Sequence, residues 1–568
     1  MQHAGQIYKT RWWLPIILVL LLVLNWLASL YHVRTDLTNE KRFTLSAPTK
    51  KLLRKLDTAV QVDIFLKGEF PSGFKKLANS SGEMLQEFRE IAGNRLQYKF
   101  ISPDDMVEGT TVRYGDTLSA LGLYPINLKS QVKAGEQQQL VYPFALVHYR
   151  EKEMPVNLYA GNKTMITPAE LNSAETLMEF RFADAIDKLT RTVKPMVAYA
   201  TGNGEPQDAR IFDLVENVLK PDYDLKQFNL ATLPVIPDTF SLLVMVKPTQ
   251  SFSDKEKLTI DQFVMRGGKL LFFIDKLEAE MDSLRIKNEV VAYDRGLQLD
   301  DLLFRYGARI NNDLVMDLQC DFLPFDVNGN GQFEFLHWNY FPLFESRQGH
   351  IINKNLGLVA GRFVNSIDTV EAAGIQKTVL LSTSPNSRHI ATPALISGKE
   401  NVNAPEDEKF NRTDIPVAIL LEGKFRSLYA NRLSQALHDS LESYGAGFVT
   451  DCIHDNKMIL VGDGDIAMNS IQKNEPLPMG MNPFTYGSQY QYAFANKDFV
   501  QNCLDYLLNP SGLSEAKAKD YTLHLLDPKK LTAQRTYWQL MNIALPVLLV
   551  FLFAVVYQWQ RKRKYSRK

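Results

Sequence analysis

Trp538 to Trp559 is almost wholly apolar and runs directly into Arg561-Lys562-Arg563-Lys564-Tyr565-Ser566-Arg567-Lys568. An apolar run of that length crosses a hydrocarbon core of ~30 Å as a helix. The dense basic flank marks its cytoplasmic end. The opposite end of the sequence repeats the pattern. Lys9 and Arg11 precede the apolar run Leu14–Leu30, with Trp12, Trp13 and Trp26 placed as interface anchors. A cleaved secretory leader is the competing reading of that first run. No A-x-A site follows it, since the nearest residues are Leu27-Ala28-Ser29-Leu30-Tyr31. An uncleaved anchor is therefore expected, with both termini in the cytoplasm and the bulk of the chain across the inner membrane, in the periplasm.

The 568 residues leave room for about three domains. Lys plus Arg and Asp plus Glu are both 64, so there is no basic excess of the kind nucleic-acid binding requires. Three cysteines, Cys320, Cys452 and Cys503, stand far apart without a C-x-x-C. That count excludes a disulfide-stapled scaffold and fits small buried apolar residues.

The pattern along the chain alternates strands with helices. Ser46 is placed to cap a helix through Leu56, and Val60–Leu66 alternates at period two. Leu77, Met84, Leu85, Phe88 and Ile91 keep helical spacing before the strand-like Leu96–Ile101. Strand, helix, strand predicts a βαβ unit. A second series begins at Met196–Ala200. It continues through a helix with Ile211, Leu214, Val215, Val218 and Leu219 on one face, then Ser241–Val246, a Ser253-capped helix and Lys269–Asp275. Apolar strands alternating with helices predict a doubly wound sheet of the Rossmann or flavodoxin type. Lys457–Val461 and a helix over 498–508 are placed to complete it. The expected fold class is therefore α/β, with one transmembrane helix at each end. The divisions are a cytoplasmic N-terminus (1–13), a first span (14–31), an α/β domain (37–190) and a second α/β domain (194–510). A connector (511–537), a second span (538–559) and a basic tail (560–568) follow. Residues 401–412 are expected to form a polar loop.

Several segments invite a chemical reading. Gly68 to Lys75 looks like a phosphate loop, but Phe74 separates Gly73 from Lys75 and no hydroxyl residue follows, so it cannot serve phosphate and magnesium together. The turn Gly202-Asn203-Gly204-Glu205 lies at the end of a strand and before a helix, where such sheets bind ligands. It lacks G-x-G-x-x-G spacing, so a tight turn and a small-ligand site both stay open. Asp326 to Gly331 matches the first half of a calcium loop, but His337 stands where a bidentate Glu is needed. Asp463 and Asp465 in Gly462-Asp463-Gly464-Asp465 offer two carboxylates to a cation, or simply close a strand. Neither G-x-S-x-G nor H-E-x-x-H occurs. No nucleophile, base and orienter are brought together by pattern, which argues against an enzyme and for a chain without cofactor or metal.

Asp36-Leu37-Thr38, Lys41-Arg42-Phe43-Thr44-Leu45-Ser46 and Val62 to Pro71 resemble the N-terminal part of the GldG family. That family comprises gliding-motility-associated ABC-transporter auxiliary components of Bacteroidetes-type bacteria. Thr201 to Pro206, Gly267 to Leu271, Trp338 to Leu343, His350 to Leu356 and Gly462 to Asp465 resemble its auxiliary domain. The resemblance implies an accessory, substrate-binding role beside a separate permease and a separate cytoplasmic ATPase. It implies no residue-level site. A structural envelope linker and an amidotransferase-like enzyme are the alternatives.

Overall fold

The computed structural model describes residues 13–30, 44–68, 70–121, 123, 125–132, 135–159, 168–281, 284, 289–345, 349–354, 356–397, 407–508, 512–513, 516 and 528–565. The segments 31–43 and 401–406, and most of 511–527, lie outside the described residues, so the polar loop and the connector expected there are largely untested. The architecture is mixed α/β, and residues 520–568 form a unit of their own.

The first part of the chain builds as its pattern predicts. Ser46 caps the helix Ala47–Arg54 by accepting the Thr49 N–H, with Pro48 in the first turn. Strands Val60–Ile64 and Leu96–Phe100 pair in parallel, joined by the helix Ser72–Ala92. Phe144–Tyr149 then adds antiparallel to Val60–Ile64, and Lys152–Asn157 follows it. Leu77, Leu85 and Phe88 meet Val62 and Ile64 in one core, which also receives Leu45, Leu513 and Ala516.

The second part is organised around a seven-stranded sheet. Its spatial order is Ile375–Ser382, Pro416–Gly423, Asn456–Val461, Lys269–Phe273, Phe240–Val246, Met196–Thr201 and Asp224–Asn229. The last five run parallel, and the first two are antiparallel additions at one edge. Alternate residues of each strand enter opposite cores. Val197, Tyr199, Val244, Phe273 and Ile459 face Leu214, Val218, Phe499, Cys503 and Leu507. Ala198, Met245, Phe272 and Leu460 face Ile260, Phe263, Leu303 and Tyr306. Both faces are covered, which is why these strands read as continuous apolar runs. Phe272 and Phe273 are fully buried, each worth roughly 1.5–3 kcal/mol relative to exposure.

The helix expected from Ile211 differs in detail. A 3₁₀ turn, Ala209–Ile211, leads into a π-helical Asp213–Leu219. The same apolar face is presented at a wider winding, so periodicity alone does not separate the two forms. Ser253 caps Asp254–Met265 in a full capping box with Glu256. The hairpin Cys320–Phe325 and Glu334–Phe344 adds a further aromatic core around Trp338, Tyr340, Phe341 and Phe363.

Trp13–Leu30 is helical over 18 residues. In the separate C-terminal unit, the helix Pro528–Tyr565 contains Tyr537–Arg563, which is long and apolar enough to cross a membrane.

Candidate functional site

The strands Met196–Thr201, Phe240–Val246, Lys269–Phe273 and Asn456–Val461 end on the same edge of the sheet, and each hands over to polar residues there. Gly202–Glu205 follow the first, Lys247–Gln250 the second, Asp275 the third, and Asp463 and Asp465 the fourth. The two turns singled out from sequence therefore share one rim. The carboxyl ends of parallel strands are where open α/β sheets bind ligands.

At the centre of the rim lies a buried ion cluster. The Lys247 ammonium reaches Asp275 Oδ2 at 2.9 Å, Asp465 Oδ2 at 2.8 Å and Glu280 Oε2 at 3.2 Å. Arg295 pairs with the other Glu280 oxygen. Asp463 accepts the Asp465 N–H at 2.7 Å and the Arg362 N–H at 2.7 Å. The Gly464 N–H donates to Asp275 Oδ1. Lys247 holds a left-handed backbone, φ 45°, and a Cβ on Gly464 would stand 2.6 Å from the Lys247 Cβ. Only glycine fits there.

The cluster sets its own charge states. Burial disfavours the Lys247 ammonium, but the facing charges of Asp275, Asp465 and Glu280 outweigh it and raise its pKa well above the usual lysine value. Burial likewise works against the Asp465 carboxylate, yet Lys247 and Arg362 hold its pKa below the ordinary range. Burial first, then Asp275 and Asp465, push Asp463 well above that range. Oxygens of Asp275, Asp463 and Asp465 lie within 4.8 Å of one another, a spacing that also suits a cation. The Lys247 ammonium already supplies a positive charge to two of the three.

The Gly202–Glu205 turn is fastened to the neighbouring loop. Asn203 O accepts the Thr249 and Gln250 N–H groups, both at 2.9 Å, and Thr249 Oγ1 donates to Gly204 O at 3.2 Å. Asn203 N–H donates to Glu205 Oε2 at 2.8 Å, and Asn203 Nδ2 donates to Glu256 Oε1 at 3.2 Å. Glu205 Oε1 and Asn203 Oδ1 are buried without a hydrogen-bond partner. Burial raises the Glu205 pKa despite two backbone donors.

A polar pocket adjoins Asp465, lined also by Asp321, Arg362, Ser470, Asn482 and Asn496. Arg362 Nη2 donates to Ser470 Oγ at 3.0 Å, and its guanidinium lies 5.4 Å from the Phe341 ring centre. Asn482 Nδ2 donates to Asp321 Oδ2 at 2.7 Å. Donors and acceptors thus converge on a small concave surface beside the ion cluster.

Sequence reasoning found the turns but missed their partners. Lys247 and Asp275 were visible only as the polar residues closing two apolar strands. Glu280, Arg295 and Arg362 lie in stretches with no pattern of their own. At the calcium-loop look-alike, Asp326 accepts the Asn330 and Gly331 N–H groups at 3.1 Å each, so the carboxylate closes a hairpin turn. At the phosphate-loop look-alike the helix Ser72–Ala92 begins, and Glu69 lies outside the described residues. All three cysteines are buried, and none forms a disulfide. Burial pushes the Cys452 thiol up to about 11 and Cys320 higher still, which keeps both protonated and poorly nucleophilic.

The family described as an ABC-type uncharacterized transport system matches residues 194–503, more than half of the chain and the whole rim with its ion cluster. The chain belongs to this family. It is an auxiliary component of an ABC-type transport system, a class of transport components and not of enzymes, and it associates with other components of such a system. Family membership and the apolar helix Tyr537–Arg563 together point to membrane association. A domain of unknown function matches residues 39–148. Comparison with curated proteins finds no match. Among solved structures, the mmIFT52 N-terminal domain overlaps with a TM-score of 0.31 at 11% identity, covering 55% of this chain and 97% of that one. The exo-beta-1,4-mannosidase Op5Man5 from Opitutaceae bacterium strain TAV5 overlaps with a TM-score of 0.18 at 9% identity, covering 84% of this chain and 56% of that one.

Proposed function

We propose that this ABC-type auxiliary component is a non-catalytic subunit anchored by two spans, 14–31 and 538–559, with both termini cytoplasmic. Its periplasmic body, 37–190 and 194–510, binds or couples a substrate or partner to a separate permease driven by a separate cytoplasmic ATPase. The second body domain is read as doubly wound, supported by five parallel strands covered on both faces. A link to gliding motility or surface secretion follows from the GldG resemblance. The family match over 194–503 carries the reading.

The ion cluster supports a binding or coupling role over a catalytic one. Lys247 is held as an ammonium between carboxylates, so its amine is not free to attack a carbonyl. The rim with Gly202, Asn203, Gly204, Glu205, Asp463 and Asp465 is the proposed docking edge, and the pocket beside Arg362 is its concave part.

The test is ATP turnover of the membrane complex with and without this chain, followed by Glu205→Gln and Asp465→Asn in the complete complex. Turnover that depends on the chain supports coupling. Turnover indifferent to its removal favours the envelope-linker reading. A chemical reaction catalysed by the purified chain and lost in Glu205→Gln would favour the enzyme reading.

A further inference from the structure

The described residues that flank segments 31–43 and 517–527 come together at one place. Leu45 and Leu53, just after segment 31–43, share a core with Leu513 and Ala516, just before 517–527. A Cβ on Gly512 would lie 3.6 Å from Pro48 Cγ, so the incoming and outgoing chain touch. Beside this junction is a cleft of about 670 Å³, lined among others by Lys51, Lys55, Arg191, Val193 and Lys194.

The charge in that cleft is one-sided. Its acids are already engaged: Asp57 with Arg150 at 2.8 Å, and Asp187 with Arg191 at 2.5 Å. Lys194 Nζ donates to the carbonyls of Lys220 at 3.3 Å and Pro221 at 2.6 Å, neutral acceptors that leave its charge uncompensated by them. Lys51 and Lys55 are exposed, and the Arg191 Nε–H is buried without an acceptor. Val193 projects beside them with 78% of its surface in solvent, an apolar side chain in a basic setting.

We propose that this face lies against the bilayer and binds the phosphates of anionic phospholipid headgroups, with Val193 entering the interfacial layer. The proposal rests on the two-span reading above. Two tethers leaving one face bring that face to the membrane, and exposed lysines near an anionic surface are attracted to it. An apolar side chain among them suits the headgroup boundary.

The experiment is amine acetylation of the full-length chain in nanodiscs of phosphatidylcholine alone and with phosphatidylglycerol, read by mass spectrometry at Lys51, Lys55 and Lys194. Lys255, exposed at the far edge of the sheet, is the internal reference. The expected result is labelling slowed roughly fivefold at the three lysines by phosphatidylglycerol, relieved by salt, with Lys255 unchanged. Equal rates in both lipids overturn the proposal while leaving the anchoring intact. Protection that arises only when permease and ATPase are added overturns it in favour of a protein surface. A chain that does not enter nanodiscs overturns both this proposal and the two-span reading. Lys51→Gln with Lys55→Gln is expected to lower co-purifying phosphatidylglycerol without lowering incorporation. Unchanged co-purification contradicts the proposal.

Discussion

Lys247 Nζ lies 2.8 Å from Asp465 Oδ2, although the two residues are 218 positions apart in sequence. Each stands just beyond an apolar strand of one sheet, so the pair ties the ends of those strands together. With Asp275 and Glu280 it forms a network that is buried at Lys247 and Asp275 and opens to solvent at Glu280.

Removing the cation should therefore cost more than removing a surface lysine. Lys247→Met leaves the buried Asp275 without its counter-charge and Asp465 with only the more distant Arg362 and Arg295, and stripping a buried carboxylate of its partner typically costs about 3–5 kcal/mol. Chemical denaturation of the solubilised protein should show that loss, with Lys255→Met close to neutral. Equal stability of Lys247→Met and wild type would mean that the cluster is solvated.

Two glycines separate space from backbone strain. Gly204, φ 82°, would put a Cβ 2.0 Å from Thr249 Oγ1, whereas Gly267, φ 99°, meets nothing within 4 Å. Gly267→Ala should cost about 1–2 kcal/mol for the left-handed backbone alone. Gly204→Ala should cost clearly more, because the turn must also move off Thr249. Matching midpoints for the two variants would show that the rim turn yields easily.

How much of this was legible in sequence follows from what burial does to pattern. Val244, Phe272 and Leu460 sit in strands covered on both faces, so the runs are continuously apolar and legible as strands. The strand Ile375–Ser382 lies at the edge, with a mixed pattern, and gave no such signal. The π winding of Asp213–Leu219 was hidden because it keeps the apolar face of an ordinary helix. Asp463, Asp465 and Glu205 stood out as acids in glycine-rich turns after strands. Their grouping with Lys247 and Asp275 depends on strand order, which local sequence does not encode. Glu280, Arg295 and Arg362 come from the irregular stretch, where no local pattern marks them.

A second ionic group should give a measurable pH dependence. Lys188 Nζ contacts Asp184 at 2.9 Å and Asp222 at 2.6 Å. Burial is the main cause that raises the Asp184 pKa from 3.8 to about 6. A carboxyl raised on folding adds stability that is complete below its unfolded pKa and lost as pH rises through the folded value. The Asp184 contribution should thus fade between about pH 4 and 6. Asp184→Asn should remove that slope in denaturation midpoints followed over this range. An unchanged slope would assign it to other carboxyls.

The buried thiols should be silent in the native state. Cys452, raised to about 11 by burial, and the fully buried Cys503 should react with maleimide only on unfolding. Rapid labelling of the folded chain would place a cysteine at the surface and reopen a nucleophilic role.

The central claim is that this chain works as one subunit of a transporter. Its most direct test is affinity purification of the full-length protein in mild detergent, with mass spectrometry of what accompanies it. The account predicts an ABC ATPase and a multi-span permease recovered in fixed ratio with the chain. Recovery of neither, from membranes in which both are expressed, would contradict it.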